Sequence, residues 1–228
     1  MIIGILQTGH LPGDIQAAHG DHADMFRRML AGRGFMFRVF SVVDMVFPDG
    51  PDMADAWLIT GSRHGTYDDL PFIAPLEALI RAIFAAGQPM VGVCFGHQII
   101  AQALGGRVRK FAGGWSVGRQ VYRMGDRDWA LNAWHQDQVV ARPGGATILA
   151  GSPFCENAML AYGDRVLTVQ PHPEFEAPVI RRLIDQRGPG IVPDDLLRVA
   201  RKGLTQPLDN AALAAMLAGV LSRARADA

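Results

Sequence analysis

Along this chain, short runs of continuous apolar residues closed by glycine or polar residues alternate with longer stretches in which apolar residues recur every three or four positions. Ile2 to Leu6 is a run of the first kind and reads as a buried strand. Met25, Phe26, Met29 and Leu30 then follow helical spacing, Gly32 and Gly34 supply stop signals, and Phe37 to Val42 reads as strand again, which makes one β-α-β unit. Ala56 to Ile59 is a further buried run that ends in the polar loop Thr60-Gly61-Ser62-Arg63-His64-Gly65. Helical spacing from Leu76 through Phe84 gives way at Gly87-Gln88-Pro89 to Met90-Val91-Gly92-Val93. That run predicts a central strand feeding directly into a helix over Gly96 to Leu104.

From Val108 to about Leu167 the texture changes to strand-like pieces such as Ser116 to Tyr122 and Thr147 to Ala150, separated by glycine, proline and asparagine turns. These predict antiparallel strands added to the main sheet. Val166 to Gln170 reads as one more strand, and the remainder, rich in alanine, leucine and arginine, reads as helical. The pattern predicts an α/β fold, a mostly parallel central sheet flanked by helices with an added antiparallel strand region, over residues 1–228 as a single domain. In such sheets ligands gather at the carboxyl ends of the strands, which directs attention to the loops after Ile59, Val93 and Gln170.

Composition narrows the chemistry. Lysine plus arginine (22) balances aspartate plus glutamate (22), so the chain lacks the basic excess of a protein built to grip nucleic acid or an anionic membrane. A small-molecule substrate is expected instead. The apolar amino terminus lacks the basic start and small-residue cleavage site of a signal peptide, and no run reaches the length of a membrane span. The two cysteines, Cys94 and Cys155, have neither C-x-x-C spacing nor a disulfide-rich context, and a reducing, cytoplasmic location is expected.

Gly92-Val93-Cys94-Phe95-Gly96 has the G-x-Nu-x-G spacing of a nucleophile elbow with cysteine as nucleophile. A nucleophile on a tight strand-to-helix turn adopts a strained backbone, and side chains two positions before and after it would collide, so glycine is required there. The following helix presents its amino-terminal dipole to the sulfur and favours thiolate. A cysteine hydrolase also needs a base to hold the thiolate and return a proton to the leaving amine, and a group to fix that base. Gln170-Pro171-His172-Pro173-Glu174 offers both, because residues two apart in extended backbone project to one side and the prolines keep the backbone extended. His172 and Glu174 could also be zinc ligands, but the spacing is not that of helical H-E-x-x-H and no third ligand is evident. No metal or cofactor is expected.

The elbow Gly92-Val93-Cys94-Phe95-Gly96-His97-Gln98 together with His172-Pro173-Glu174 resembles the class I (triad) glutamine amidotransferases, from the first strand to about Phe175 and more loosely beyond. The resemblance implies a flavodoxin-like fold, a catalytic triad of Cys94, His172 and Glu174, and an oxyanion hole from the amides of Phe95 and of Gly61-Ser62. It also implies that Gln98 helps bind the amino-acid end of the substrate, with His97 a packing residue. Trp134-His135-Gln136-Asp137-Gln138-Val139 is similar to the family segment S-H-x-D-x-V, which places Trp134, His135, Gln136 and Asp137 at the substrate pocket. Arg63-His64 and Gln136 depart from the family's proline and glycine at those places, which implies an altered pocket around the substrate's α-amino and α-carboxylate groups.

The expected reaction is hydrolysis of the γ-amide of glutamine or of a γ-glutamyl compound through a γ-glutamyl thioester. Three readings stay open: a stand-alone hydrolase or peptidase of γ-glutamyl compounds, a glutaminase subunit passing ammonia to a separate synthetase, and a non-catalytic binding or regulatory relative. A homo-oligomer is compatible with each of them. Elsewhere, His19-Gly20-Asp21-His22 reads as a helix cap or surface turn, Trp115 as a pocket wall or a turn anchor, and Cys155 as inert. The alanine-rich tail Ala211 to Leu217 reads as a helix packed on the domain, since it lacks the basic face of a membrane-surface helix.

Overall fold

The computed structural model describes residues 1–225. Five strands run parallel: β1 (Ile2–Leu6), β2 (Met36–Phe40), β3 (Ala56–Ile59), β4 (Met90–Val93) and, last in the chain, β11 (Val166–Val169). Between them stand α1 (Gly13–His19), α2 (His22–Met29), α3 (Ile73–Ala85) and α4 (Phe95–Ala103). Two antiparallel strands, β9 (Ala146–Ala150) and β10 (Met159–Tyr162), extend the sheet beyond β11 in the order β2-β1-β3-β4-β11-β10-β9. The expected α/β architecture is therefore present, with β4 at its centre.

The rest of the antiparallel region departs from the expectation. β5 (Arg107–Lys110) pairs with β8 (Asp137–Ala141), and β6 (Ser116–Met124) with β7 (Arg127–His135), as two separate two-stranded ribbons. β6 and β7 satisfy each other in unbroken register from Ser116↔His135 to Met124↔Arg127, so neither depends on the main sheet for its ladder. The ribbon is backed by α6 (Asp194–Gly203), which comes so close that a Cβ on Gly118 would lie 2.6 Å from that of Ala200. α5 (Ala177–Gln186) precedes α6, and α7 (Asn210–Leu221) follows it and runs into a 3-10 turn over Ser222–Arg225. The apolar run at Phe37 stops at Phe40 because Val42–Asp44 winds into a 3-10 turn, and α1 was hidden by its single buried residue, Ile15.

Alternation along the central strands builds two cores. Ile3, Ile5, Leu58, Val91 and Val93 face α2 and α7, where Phe26, Leu213 and Leu217 meet them. Leu6, Trp57, Ile59 and Met90 face α3 and α4, meeting Leu76, Ile80, Ile83, Ile99 and Ile100. A third cluster, with Leu11, Ile15, Phe175, Val179, Ile180 and Leu183, lies under α1, α5 and α6. Among the described residues no helix is long and apolar enough to cross a membrane.

Trp57 is fully buried, and its indole N–H is held by Pro51 O at 3.2 Å and Gln88 Oε1 at 3.0 Å. Its ring lies across Gly4, where a Cβ would stand 2.4 Å from Cζ3. Gly4→Ala therefore overpacks a site that cannot yield, and should cost about 1–3 kcal/mol, read as a lower urea midpoint at unchanged slope.

Candidate active site

Three strand ends converge. Cys94 sits between β4 and α4 with φ 53° and ψ −105°, a backbone conformation that β-carbon sterics disfavour. The flanking glycines explain how the turn closes: a Cβ on Gly92 would meet Gly96 O at 2.5 Å, and one on Gly96 would meet Ile59 O at 2.3 Å. The turn is pinned on both sides, by Gly96 N donating to Thr60 O (3.0 Å) after β3 and by Cys94 N donating to Val169 O (2.8 Å) at the end of β11. The expected elbow is present in full, with α4 beginning at Phe95.

The parallel register that pairs Val169 with Val93 carries the following Gln170-Pro171-His172 segment past Cys94. β7 clamps this segment from the other side, since His172 N donates to Asn132 O at 2.8 Å and Asn132 Nδ2 donates to Phe175 O at 2.9 Å. His172 and Glu174 are both buried, and Nδ1 of the imidazole lies 2.7 Å from Glu174 Oε1. Burial alone would strip the His172 proton, but the Glu174 carboxylate and the hydrogen-bonded Cys94 sulfur outweigh it and raise its pKa to about 10. Phe175 stacks flat on the imidazole, 4.1 Å between centroids at 1°.

Gly61 closes the third side: a Cβ there would lie 3.0 Å from His172 Cε1 and 3.8 Å from Cys94 Cβ. Thr8 Oγ1, at the end of β1, donates to Gly61 O at 3.0 Å and backs the loop. Ser62 follows, with its Oγ accepting from His64 N at 3.2 Å. Phe95 is the first residue of α4, so its amide belongs to the opening turn whose N–H groups have no intrahelical acceptor. Its ring points the other way, into the core against Phe72.

A cavity of about 810 Å³ opens over these groups, lined by Cys94, His172 and Ser62, and also by Gln98, Trp134, His135, Gln136 and Asp137. Gln98 Nε2 donates to Asp137 O at 2.9 Å and to Gln170 Oε1 at 3.0 Å, so its amide locks the wall of the pocket. His135 Nδ1 donates to Asp137 O at 3.2 Å, and burial lowers its pKa to about 3. The Asp137 carboxylate, its own pKa raised by burial, accepts from the hydroxyl of Tyr67 at 3.0 Å. Arg63, His64 and Gln136, the three departures from the family pattern, all line the cavity. His97 is fully buried with Nδ1 2.8 Å from Thr168 Oγ1, which is the packing role expected of it.

Several lining residues escaped the sequence. Tyr67 lies in a loop with no periodic signal, and its pKa is raised to about 12, chiefly by desolvation. In the stretch from His19 to His22, Asp21 does cap α2, in a capping box with Asp24. His22, however, is no surface residue: it is buried, stacks on Phe175 at 6.2 Å, lines the cavity, and has its pKa lowered to about 4 by burial. His10 reaches the same cavity between Asp21 (Nδ1, 2.6 Å) and Asp44 (Nε2, 2.9 Å), and its pKa is raised, first by the Asp21 hydrogen bond. Trp115 lines the cavity against Trp134 at 6.4 Å, the first of its two readings. Cys155 is buried outside it, its thiol pushed up to about 12 by burial. No group of three histidine, cysteine or acidic side chains arranged to hold a metal occurs among the described residues.

The profile of the glutamine amidotransferase class-I family matches residues 55–181, more than half of the chain, spanning the glycine loop, the elbow and the histidine segment. The chain belongs to that family. It is 26% identical to γ-glutamyl peptidase 3 of Arabidopsis thaliana over 75% of this chain and 76% of that one. It is 32% identical to a GMP synthase (glutamine-hydrolysing) subunit of Sulfurisphaera tokodaii over 49% of this chain and 64% of that one. Among solved structures, a glutamine amidotransferase from Methylobacillus flagellatus superimposes with a TM-score of 0.75 at 21% identity, covering 98% of this chain and 94% of that one, which establishes the shared fold.

The buried histidines set opposite pH limbs. His22, His97 and His135 have pKa values lowered by burial to about 4, 3 and 3, whereas in an unfolded chain each takes up a proton near 6.5. Their contribution to stability is whole above pH 6.5 and is lost as pH falls toward 4. His172, raised to about 10, contributes fully below 6.5 and loses that contribution as pH rises toward 10. The urea midpoint should therefore peak near neutrality and fall on both sides, and His97→Gln should flatten the acid limb between pH 6.5 and 4.

Proposed function

We propose that this family member hydrolyses the γ-amide of glutamine or of a γ-glutamyl compound through a γ-glutamyl thioester on Cys94. The observation that carries the reading is the juxtaposition of a strained elbow cysteine with a buried His172 that Glu174 holds at 2.7 Å. The Cys94 thiolate attacks the γ-carbonyl carbon, and the carbonyl electron pair moves onto oxygen. Amides of Phe95 and of Gly61-Ser62 receive that oxyanion, each such donor typically contributing about 3 kcal/mol. As the tetrahedral adduct collapses, the C–N bond breaks and the His172 imidazolium gives its proton to the departing nitrogen, leaving the thioester. Water then gives a proton to neutral His172 and attacks the thioester carbonyl. The thiolate leaves, and glutamate is released.

Gln98, His135, Gln136 and Asp137, with the backbone of Trp134, are assigned to binding the glutamyl part, mostly through the backbone that the Gln98 amide braces. The likeness to γ-glutamyl peptidase 3 along three quarters of each chain supports release of an amine by the chain acting alone. The likeness to the Sulfurisphaera GMP synthase subunit supports a second reading, delivery of ammonia to a separate synthetase. The two share the attack on the γ-carbonyl and differ in the fate of the released nitrogen, so glutamate release from glutamine and from γ-glutamyl amides, with and without candidate synthetases, separates them.

Cys94→Ala should abolish glutamate release from every such substrate while leaving the circular dichroism spectrum unchanged; a variant retaining the wild-type rate would overturn the assignment. Glu174→Gln, which keeps the shape but loses the charge, should lower kcat by up to about 10⁴-fold. A γ-glutamyl-like chloroketone should add to Cys94, located by mass spectrometry of the digest, and a label on Cys155 instead would refute the choice of nucleophile.

A further inference from the structure

We infer that the cavity wall on the His172 side is a leaving-group subsite for an α-amino acid with an apolar or aromatic side chain. Trp115, Trp134 and Ile191 receive the side chain, and Arg187 receives the carboxylate. The inference rests on the γ-amide hydrolysis proposed above and specifies its substrate as a γ-glutamyl dipeptide.

The direction comes from the proton. His172 protonates the departing nitrogen, so whatever is attached to that nitrogen lies on the His172 side of the scissile bond. Phe175, stacked on the imidazole, belongs to the same apolar cluster as Leu183, and Trp115 and Trp134 pack against that cluster. A departing ammonia needs no apolar wall. An indole pair with ring centroids 6.4 Å apart, together with an Ile191 that is 57% exposed at the cavity lip, matches an apolar side chain instead.

The charge comes from Arg187. It lines the same cavity, is half-buried, and forms no ion pair among the described residues. Asp44, an acid lining the cavity, is already engaged by His10 and Ser41. A guanidinium on a partly dry wall binds a carboxylate in bidentate fashion and opposes a second cation, which selects an amino acid over a diamine as leaving group. The wall is firm. Amides of Ile191 and Val192 donate to Gly188 O at 3.0 and 2.8 Å, and Gly188 is packed so tightly that a Cβ would stand 2.5 Å from Leu197 Cδ2. Arg187 and Ile191 lie beyond residues 55–181, so this part of the wall is not part of the segment that the family profile matches.

The test compares kcat/KM for γ-glutamyl-phenylalanine, γ-glutamyl-glycine, γ-glutamyl-phenethylamide and glutamine in the wild type and in Arg187→Gln, Arg187→Lys and Trp115→Ala. In the wild type, γ-glutamyl-phenylalanine should lead the other three. Arg187→Gln should lower kcat/KM about tenfold for the two substrates that carry a leaving-group carboxylate, the loss typical of one charge-assisted hydrogen bond, and change the phenethylamide less than about twofold. Arg187→Lys should recover part of the loss, and Trp115→Ala should penalise the two aromatic substrates but not γ-glutamyl-glycine. Equal wild-type rates for the phenylalanine and phenethylamide substrates, or an Arg187→Gln loss shared by all four, would overturn the subsite. Glutamine turnover with a flat panel overturns the subsite alone, whereas hydrolysis of none of the four overturns the γ-amide reading with it.

Discussion

The turn at Cys94 can exist only because Gly92 and Gly96 let the strand and the helix come within contact of each other and of β3. With Gly96 pressed on the carbonyl of Ile59 and a positive φ at the cysteine, the chain stores strain that the surrounding sheet must hold. It does so through two backbone hydrogen bonds, one to Thr60 and one to Val169, on the neighbouring parallel strands. The site thus depends on the sheet's register: a slip of β11 against β4 would move His172 away from the sulfur and turn side chains packed against one layer of helices toward the other.

From this constraint the electrostatics follow. A sulfur at the start of α4, a histidine clamped by β7 and a glutamate two residues further on lie in a nearly dry place, where each charge is worth more than in water. Desolvation acts on every buried histidine here in the same direction, toward neutrality. Among these four, only His172, with a carboxylate hydrogen-bonded to it and the cysteine sulfur beside it, is held protonated. His22, His97 and His135 stay neutral and serve as shape, hydrogen bond and cavity wall. The buried histidines therefore divide into one proton carrier and three packing groups, and what divides them is the placing of one acid and one thiol.

The cavity joins two surfaces of different origin. One, around Gln98, Tyr67 and Asp137, is polar and braced by hydrogen bonds. The other, around Phe175, Trp115 and Trp134, is the cavity-facing side of an apolar cluster shared with α5 and α6. Leu183, Arg187 and Ile191 come from late in the chain, whereas Trp134 comes from β7 and Trp115 from just before β6, so this wall is assembled from separate elements.

The central strands, the elbow and the histidine segment were legible in the sequence because each carries a local signal: apolar runs, glycine where side chains would collide, and a histidine and a carboxylate two residues apart just after a strand. The pairing of Glu174 with His172 was expected from extended backbone, but it is made across a turn in which Phe175 N donates to His172 O at 3.3 Å, so the spacing was informative and the local conformation was not as expected. What the tertiary structure decided are contacts between residues far apart in the chain. The strands from Arg107 to Ala141 carried a readable strand signal, but their assembly into two separate ribbons depended on which partner satisfied each ladder. His22 shows the same limit within one motif, since Asp21 capped α2 as its residue type required, while the burial of His22 followed from Phe175, distant in sequence. Tyr67 and His10 reached the cavity through loops without periodicity and Arg187 from the C-terminal cap of α5, and only the packing of whole elements brings such side chains to one place.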